Sequence, residues 1–185
     1  MTFAIHPSEA AWLAVGILLG ILALLMRYSL VRGAPWVPTS GRRIRRLLDA
    51  AGLKPGETFL DAGCGEGRAC RIAAREYGAR AIGIEINPLL ARIGRVWGGR
   101  YRNGGSVEVR RSDLFDAPLG EADVLFLFLL QETNERIQEK LRGELKPGTR
   151  IISHCFTLPE FRETAIPGGE PTEHLYVVQP VASSQ

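Results

Sequence analysis

Residues 61–68 read Asp-Ala-Gly-Cys-Gly-Glu-Gly-Arg, with glycine at every second position from Gly63 to Gly67. Three positions without a Cβ let the backbone turn through left-handed conformations and approach a ligand closely. An acid, Asp61, opens this turn, and two further acids, Glu85 and Asp113, stand at comparable points later in the chain. The spacing excludes two common phosphate cradles. A dinucleotide fingerprint, G-x-G-x-x-G, would need glycine at position 68, which is Arg68. A P-loop would need Lys-Ser or Lys-Thr after its second glycine, and neither follows here. A carboxylate at the start of the turn would also face pyrophosphate with like charge.

The elements that must position these residues alternate regularly. Thr58–Ala62 is a short apolar strand and Arg68–Tyr77 a helix. Arg80–Ile86 is a second strand, followed by a helix from Pro88 to about Trp97, with proline suited to its first turn. Ser106–Arg111 and Asp123–Leu129 are the third and fourth strands, Glu132–Leu145 an amphipathic helix, and Thr149–Cys155 the fifth strand. Weaker strand signals near Arg162–Ile166 and His174–Gln179 predict an antiparallel hairpin at one edge. Before all of these, Thr39 or Ser40 caps a helix whose Ile44, Leu47, Leu48 and Ala51 share one face. Such βα units predict an α/β, Rossmann-like, doubly wound and mostly parallel sheet of about seven strands with helices on both faces.

In such a sheet the ligand lies beyond the carboxyl ends of the strands, where the strand order reverses. Asp61, Glu85 and Asp113 each end a strand, with the glycine turn at the first of them. A carboxylate at the first strand end suits an ammonium group beside a sulfonium. One at the second accepts from ribose hydroxyls, and one at the third accepts from an adenine amino group. The three together describe a pocket for S-adenosylmethionine, formed by Asp61, Gly63, Gly65, Gly67, Glu85, Asn87, Asp113 and Leu114.

The 185-residue chain has a net charge of +3, which by itself does not argue for nucleic acid. Cys64, Cys70 and Cys155 lack metal-ligand spacing and read as reduced thiols, so no metal is expected. The charge is unevenly placed. Ala10–Met26 is a run of 17 residues without a charge, at the short end of the transmembrane range. Trp12 and Tyr28 flank it, as in an interfacial aromatic belt. Arg27, Arg32, Arg42, Arg43, Arg45 and Arg46 follow, and no Lys or Arg precedes it. The positive-inside rule then predicts a single-pass protein with its amino terminus outside and its catalytic domain in the cytoplasm. The arginine cluster 42–46 is expected against anionic head groups rather than nucleic acid. The expected division is a tail (1–9), a transmembrane anchor (10–31), a linker (32–38) and one catalytic domain (39–185). Gly16 and Gly20 have the spacing with which two such helices pack closely, so a weak dimer through the anchor is open.

The motifs DAGCGEGR, AIGIEINP and RRSDLFDA resemble the strand-end motifs of the class I S-adenosylmethionine-dependent methyltransferases. The resemblance covers Trp36 to Pro180. Within that class, VPT before the first helix, FLFLLQETNERIQEKLRGELKPGTRIISHCF and the tail segment HLYVV resemble one branch. It holds the small archaeal broad-specificity protein-lysine methyltransferases. It also holds the membrane-anchored mitochondrial enzymes that act on the ATP synthase c-subunit or the adenine nucleotide translocase. The resemblance implies methylation of protein lysine side chains, with Pro38 and Thr39 placed over the cofactor. Two residues depart from the branch, Trp36 where tyrosine is common and Cys155 after Ser153-His154. No Asn/Asp-Pro-Pro-Tyr motif follows the fourth strand, which argues against amide and exocyclic nucleobase methyltransferases.

Methyl transfer from a sulfonium is an in-line displacement, so alignment supplies much of the rate. A lysine acceptor must also be neutral, and a narrow apolar channel favours its neutral form by desolvation. The end of the fourth strand, Phe128, Leu129 and Leu130, is apolar and is the expected acceptor wall. Gln131 would orient the amine through its carbonyl oxygen, and His154, at the end of the fifth strand, is the candidate proton acceptor. A methyltransferase for a small or lipid-like acceptor at the membrane surface is the alternative reading.

Overall fold

The computed structural model of the chain describes residues 7–32 and 37–180. A helix, α1 (Pro7–Arg32), precedes the α/β unit. That unit runs α2 (Gly41–Ala50), β1 (Thr58–Ala62), α3 (Arg68–Tyr77), β2 (Arg80–Glu85), α4 (Pro88–Trp97), β3 (Gly99–Arg100) and β4 (Ser106–Arg111). It continues β5 (Val124–Leu127), α5 (Gln131–Glu144), β6 (Arg150–His154), β7 (Glu163–Thr164) and β8 (Glu173–Val177). Among the described residues the strands form one eight-stranded sheet in the order β3-β4-β2-β1-β5-β6-β8-β7. The five central strands are parallel, and β3, β8 and β7 join antiparallel at the two edges.

Period-two alternation splits the core into two layers. Phe59 and Phe126 face α2 and α3, where Ile44, Leu47, Leu48, Ala73 and Ala74 are buried. Leu60, Leu125 and Leu127 face α5, against Ile137 and Leu141. The same alternation puts Asp61 on the face of Phe59, at the last turn before the strand ends. Ser40 caps α2 by accepting from the Arg43 N–H at 3.3 Å. Asn87 caps α4 by accepting from the N–H groups of Leu89 and Leu90. Pro88 follows at the first helical position.

The structure departs from the expected elements in four places. β3 adds a short edge strand, giving eight where about seven are predicted; the two residues Gly99 and Arg100 are too few to carry a periodic signal. The fourth strand stops at Leu127 rather than Leu129, because Phe128–Leu130 leave the sheet to enter α5, which starts at Gln131. The fifth strand ends at His154 rather than Cys155, whose φ of 71° is left-handed and turns the chain out of the sheet. Three of the four arginines of α2 form ion pairs with acids of the domain, which the sequence does not signal. Arg43 pairs with Glu170 at 3.0 Å, Arg45 with Glu76 at 2.6 Å, and Arg46 with Glu170 at 2.7 Å and Glu173 at 2.5 Å. Glu173 has no exposed side-chain surface, so these charges pin the tail to α2.

No helix is long and apolar enough to cross a membrane, counted over the described residues. The α1 side chains that can be described are those of residues 9–20, 23 and 24, so much of the expected anchor over residues 10–31 lies outside them. Tyr28, Arg27 and Arg32 belong to that undescribed part, as does Trp36 with the linker residues 33–36.

Candidate functional site

The parallel strands end at one cleft, on the side where β1 has β2 to one side and β5 to the other. Chain order runs outward both ways from β1, which makes this the switch point of the sheet. The turn after β1 is held by Ile84 of β2, whose carbonyl accepts from the N–H groups of Gly63 at 2.9 Å and Cys64 at 3.0 Å. Gly63 has a φ of 92°, and a Cβ there would come within 3.1 Å of Leu129 Cδ2. Glycine is therefore needed twice over, for its conformation and for the approach of the β5 loop. Gly67, at φ 78°, starts α3 without a side-chain cap.

Glu85, buried at the end of β2, uses both carboxylate oxygens to tie the turn together. Oε2 accepts from the Gly65 N–H at 2.8 Å and Oε1 from the Asn87 N–H at 2.7 Å. A carboxylate has about four acceptor positions, so capacity remains toward the cleft. Burial pushes the Glu85 carboxyl up, and its backbone hydrogen bonds pull the other way. Asp61 is buried with no arginine or lysine paired to it among the described residues. Burial first, then the charges of Glu85 and Glu66, push its carboxyl up to about 8. Asp113 closes the third strand end with Oδ1 accepting from the Phe115 N–H at 3.0 Å.

The cleft holds about 1010 Å³ of empty space out to its open mouth. Among the predicted residues, Thr39, Asp61, Gly63, Gly65, Glu85, Asp113, Leu114, Phe128 and Leu129 line it. Pro38 does so beside Thr39, as does Val37, so the segment before α2 closes one side. Five predicted residues stand outside the lining. Gly67 and Asn87 begin the helices on either side of β2. Leu130 caps α5 through its carbonyl, which accepts from the Asn134 N–H at 3.0 Å. Gln131 Oε1 accepts from the Thr157 N–H at 3.1 Å and its amide donates to Glu135 at 3.0 Å, so it ties a loop to α5.

His154 is buried behind Phe128, whose ring centroid lies 4.6 Å from its own. Nδ1 faces the Thr172 carbonyl at 3.0 Å and Nε2 faces the Arg43 guanidinium at 3.3 Å. An arginine has only donors, so Nε2 accepts and Nδ1 carries the proton. Burial is the main cause that holds the His154 pKa below its ordinary value, and Arg43 adds to it. The imidazole is thus neutral and committed on both nitrogens.

Sequence reasoning missed several lining residues, Glu66, Arg68, Ser112, Phe115 and Thr133 among them. Glu66 and Arg68 lie inside the glycine motif itself and pair at 3.3 Å. Thr133 has a usable signal. It stands four residues before Ile137 and eight before Leu141, on the buried face of α5, one turn closer to the cleft. Two buried acids, Asp61 and Glu85, with no cation paired to them among the described residues, a turn with glycine at every second position and an apolar slot of Ile86, Leu90 and Leu114 fit a ligand cationic at one end and flat at the other.

Residues 61–165 match the family model described as the ANTKMT methyltransferase domain. The chain belongs to that family. It is an S-adenosylmethionine-dependent methyltransferase. The chain is 37% identical to a protein-lysine N-methyltransferase of Saccharolobus islandicus, over 70% of its own length and 81% of the relative's. It is 32% identical to the adenine nucleotide translocase lysine N-methyltransferase of Mus musculus, over 77% of this chain but only 61% of the relative. The fold also superposes on an RNA methyltransferase of Salinibacter ruber solved with S-adenosyl-L-homocysteine. That match has a TM-score of 0.67 at 31% identity and covers 80% of this chain and 98% of that one. Among the described residues no group of three His, Cys, Asp or Glu side chains is placed to hold a metal ion.

Proposed function

We propose that this ANTKMT-family methyltransferase transfers the methyl group of S-adenosylmethionine to lysine side chains of proteins. The observation that carries the reading is the contrast between the two walls of the cleft. The donor side is acidic, with Asp61, Glu66 and Glu85; the lining contributed by β5 and the loop after it is apolar, with Phe126, Phe128 and Leu129. A lysine ammonium entering along Phe128 and Leu129 would lose hydration, which favours its neutral, nucleophilic form. His154 is already neutral and holds its proton on Nδ1 against Thr172, so it orients Phe128 rather than taking a proton. When bound, the cofactor supplies an activated methyl group. What the protein contributes is alignment, with Gly63 allowing the Leu129 loop to close against the donor. The lysine-methyltransferase names of the archaeal and mouse relatives agree with this acceptor class.

The test is transfer of labelled methyl from S-adenosylmethionine by the full chain to separated protein, lipid and RNA fractions. Methyllysine in hydrolysed protein supports the reading. Label confined to lipid or to RNA would defeat it.

The same proposal includes a membrane location. α1 is 26 residues long, about 39 Å at 1.5 Å per residue. Its exposed Trp12, Leu13, Val15, Ile17, Leu18 and Leu19 leave no polar face over the described stretch. This supports an anchor over residues 10–31, and the arginines that follow the apolar run, with none before it, place the domain from residue 39 on the cytoplasmic side in this reading. Gly16 and Gly20 have nothing within 4 Å of a built Cβ, which leaves room for a second copy of the helix. Resistance to alkaline extraction, with the carboxyl-terminal domain accessible to protease from the cytoplasmic side only, is the expected result. Full release by alkali would remove the anchor.

A further inference from the structure

The face of α4 that looks away from the sheet carries a combination the methyl-transfer site does not use. Residues 86–107 contain four arginines, Arg92, Arg95, Arg100 and Arg102, and no aspartate or glutamate. Leu89, Arg92 and Val96 recur at spacings of three and four, so they share one face of α4. Leu89 is 44% exposed, Val96 74% and Trp97 55%, a concentration of large apolar surface found nowhere else on the α/β unit among the described residues. The Arg71 guanidinium lies 5.1 Å from the Trp97 ring centroid and holds the ring at the surface. Arg95 is fixed by its Nε donating to the Val109 carbonyl at 2.8 Å. No acid pairs with Arg92, Arg100 or Arg102 among the described residues, unlike Arg43, Arg45 and Arg46 of α2. Beyond Trp97 the chain enters β3, the edge strand of the sheet, which carries Arg100.

We propose that this face, from Leu89 through Arg102, docks on an anionic lipid surface. Arginines beside exposed Leu, Val and Trp match the two layers of a bilayer interface, phosphate above and acyl chain below. A nucleic acid would be served by the arginines alone and gives Leu89 and Val96 nothing to bury against. Tryptophan suits this boundary because one end of its ring system is apolar and the other donates a hydrogen bond. Leu90 of the same helix lines the cleft, so docking sets the height of the cleft above the head groups. The inference goes beyond the acceptor reading and does not require α1 to be an anchor.

Fluorescence of the full chain tests it, with Trp12 and Trp36 replaced by phenylalanine so that Trp97 alone reports. Reconstitution uses phosphatidylcholine vesicles with brominated acyl chains, with and without phosphatidylglycerol. The expected result is a blue shift and quenching of Trp97 only when phosphatidylglycerol is present. In the Arg92→Ser, Arg100→Ser, Arg102→Ser variant both effects should disappear, each arginine contributing about fivefold to the docked population. Binding of S-adenosylmethionine by that variant should be unchanged, which shows it is folded. A Trp97 unaffected by phosphatidylglycerol overturns the proposal, and so does a Trp97 that responds to single-stranded RNA but not to vesicles. A second variant retaining only Trp12 reports on α1. Quenched Trp97 with unquenched Trp12 would sink the anchor while supporting this surface.

Discussion

The two walls of the cleft were built by different means. The proposed donor wall comes from the ends of β1, β2 and β4, and each contributes its acid from a segment of a few residues. Asp61, Glu85 and Asp113 are where the strand pattern puts them. The apolar side comes from the start of one loop, Phe128 and Leu129, whose direction depends on where β5 stops and α5 starts. A two-residue shift of that boundary turned Gln131 away from the cleft and brought Thr133 to it. The comparison teaches that an acid at a strand end is a local fact, whereas the acceptor side is a matter of register.

The sharpest way to break this contrast is at Asp61. Asp61→Lys puts a fixed cation where the cationic end of the cofactor belongs, and calorimetry should find S-adenosylmethionine binding abolished. Asp61→Asn keeps the shape and removes the charge; the expected loss is roughly tenfold to a hundredfold in affinity, the worth of a charge-assisted hydrogen bond. Unchanged binding in either variant would mean the acids are not the donor wall.

Titration offers the next test. The Asp61 carboxyl of the ligand-free protein stands at about 8. Below that pH it must release a proton to meet a cation, so cofactor affinity should rise with pH by up to about tenfold per unit and level off above 8. Folding stability runs the other way. A carboxyl whose folded pKa is raised contributes stability that is fully present below its unfolded value of 3.8 and is lost as pH rises through about 8. Thermal melts of the ligand-free chain should therefore fall across this window, and Asp61→Asn should flatten the slope. A wild-type slope identical to that of the variant would refute the assignment.

On the acceptor wall, Phe128→Ala should raise the acceptor KM about tenfold, the worth of a lost aromatic contact, and leave cofactor binding within about twofold. Equal loss of both would merge the two walls into one. The smallest effect is expected for Gln131→Ala. It should cost about 1 kcal/mol of stability by freeing the Thr157 loop and change kcat/KM by less than about threefold. A larger kinetic loss without loss of stability would return Gln131 to the reacting groups. His154→Asn belongs with it, and it should leave the pH–rate profile unmoved, since both ring nitrogens are already engaged.

Much of the fold was legible because its signals are short-range. The glycine turn, the Asn87-Pro88 cap and the apolar strands each lie within a few residues. β3 was not legible, since a strand of two residues, Gly99 and Arg100, has no period to read. The ion pairs of α2 were not legible for a related reason. Arg42, Arg43, Arg45 and Arg46 follow an apolar run, and composition alone assigns them to head groups. Their partners Glu170 and Glu173 lie 127 residues beyond Arg43 and Arg46, past any sequence window. His154 was misread through the same distance, because Arg43 and Thr172 occupy its nitrogens from opposite ends of the chain.

By itself, the sequence determined the cofactor side. Asp61 before the glycines, Arg68 in place of a fourth glycine, and acids at two later strand ends select a cationic nucleoside over phosphate, since charge and turn conformation are set locally. Only the tertiary structure decided what fills the other side. It aimed Thr133 rather than Gln131 into the cleft, set His154 behind Phe128 as a neutral support, and tied Arg43 and Arg46 of α2 to the tail while leaving Arg92, Arg100 and Arg102 without an acid among the described residues. Each of these depends on which side chains meet across the sheet, and packing alone settles that.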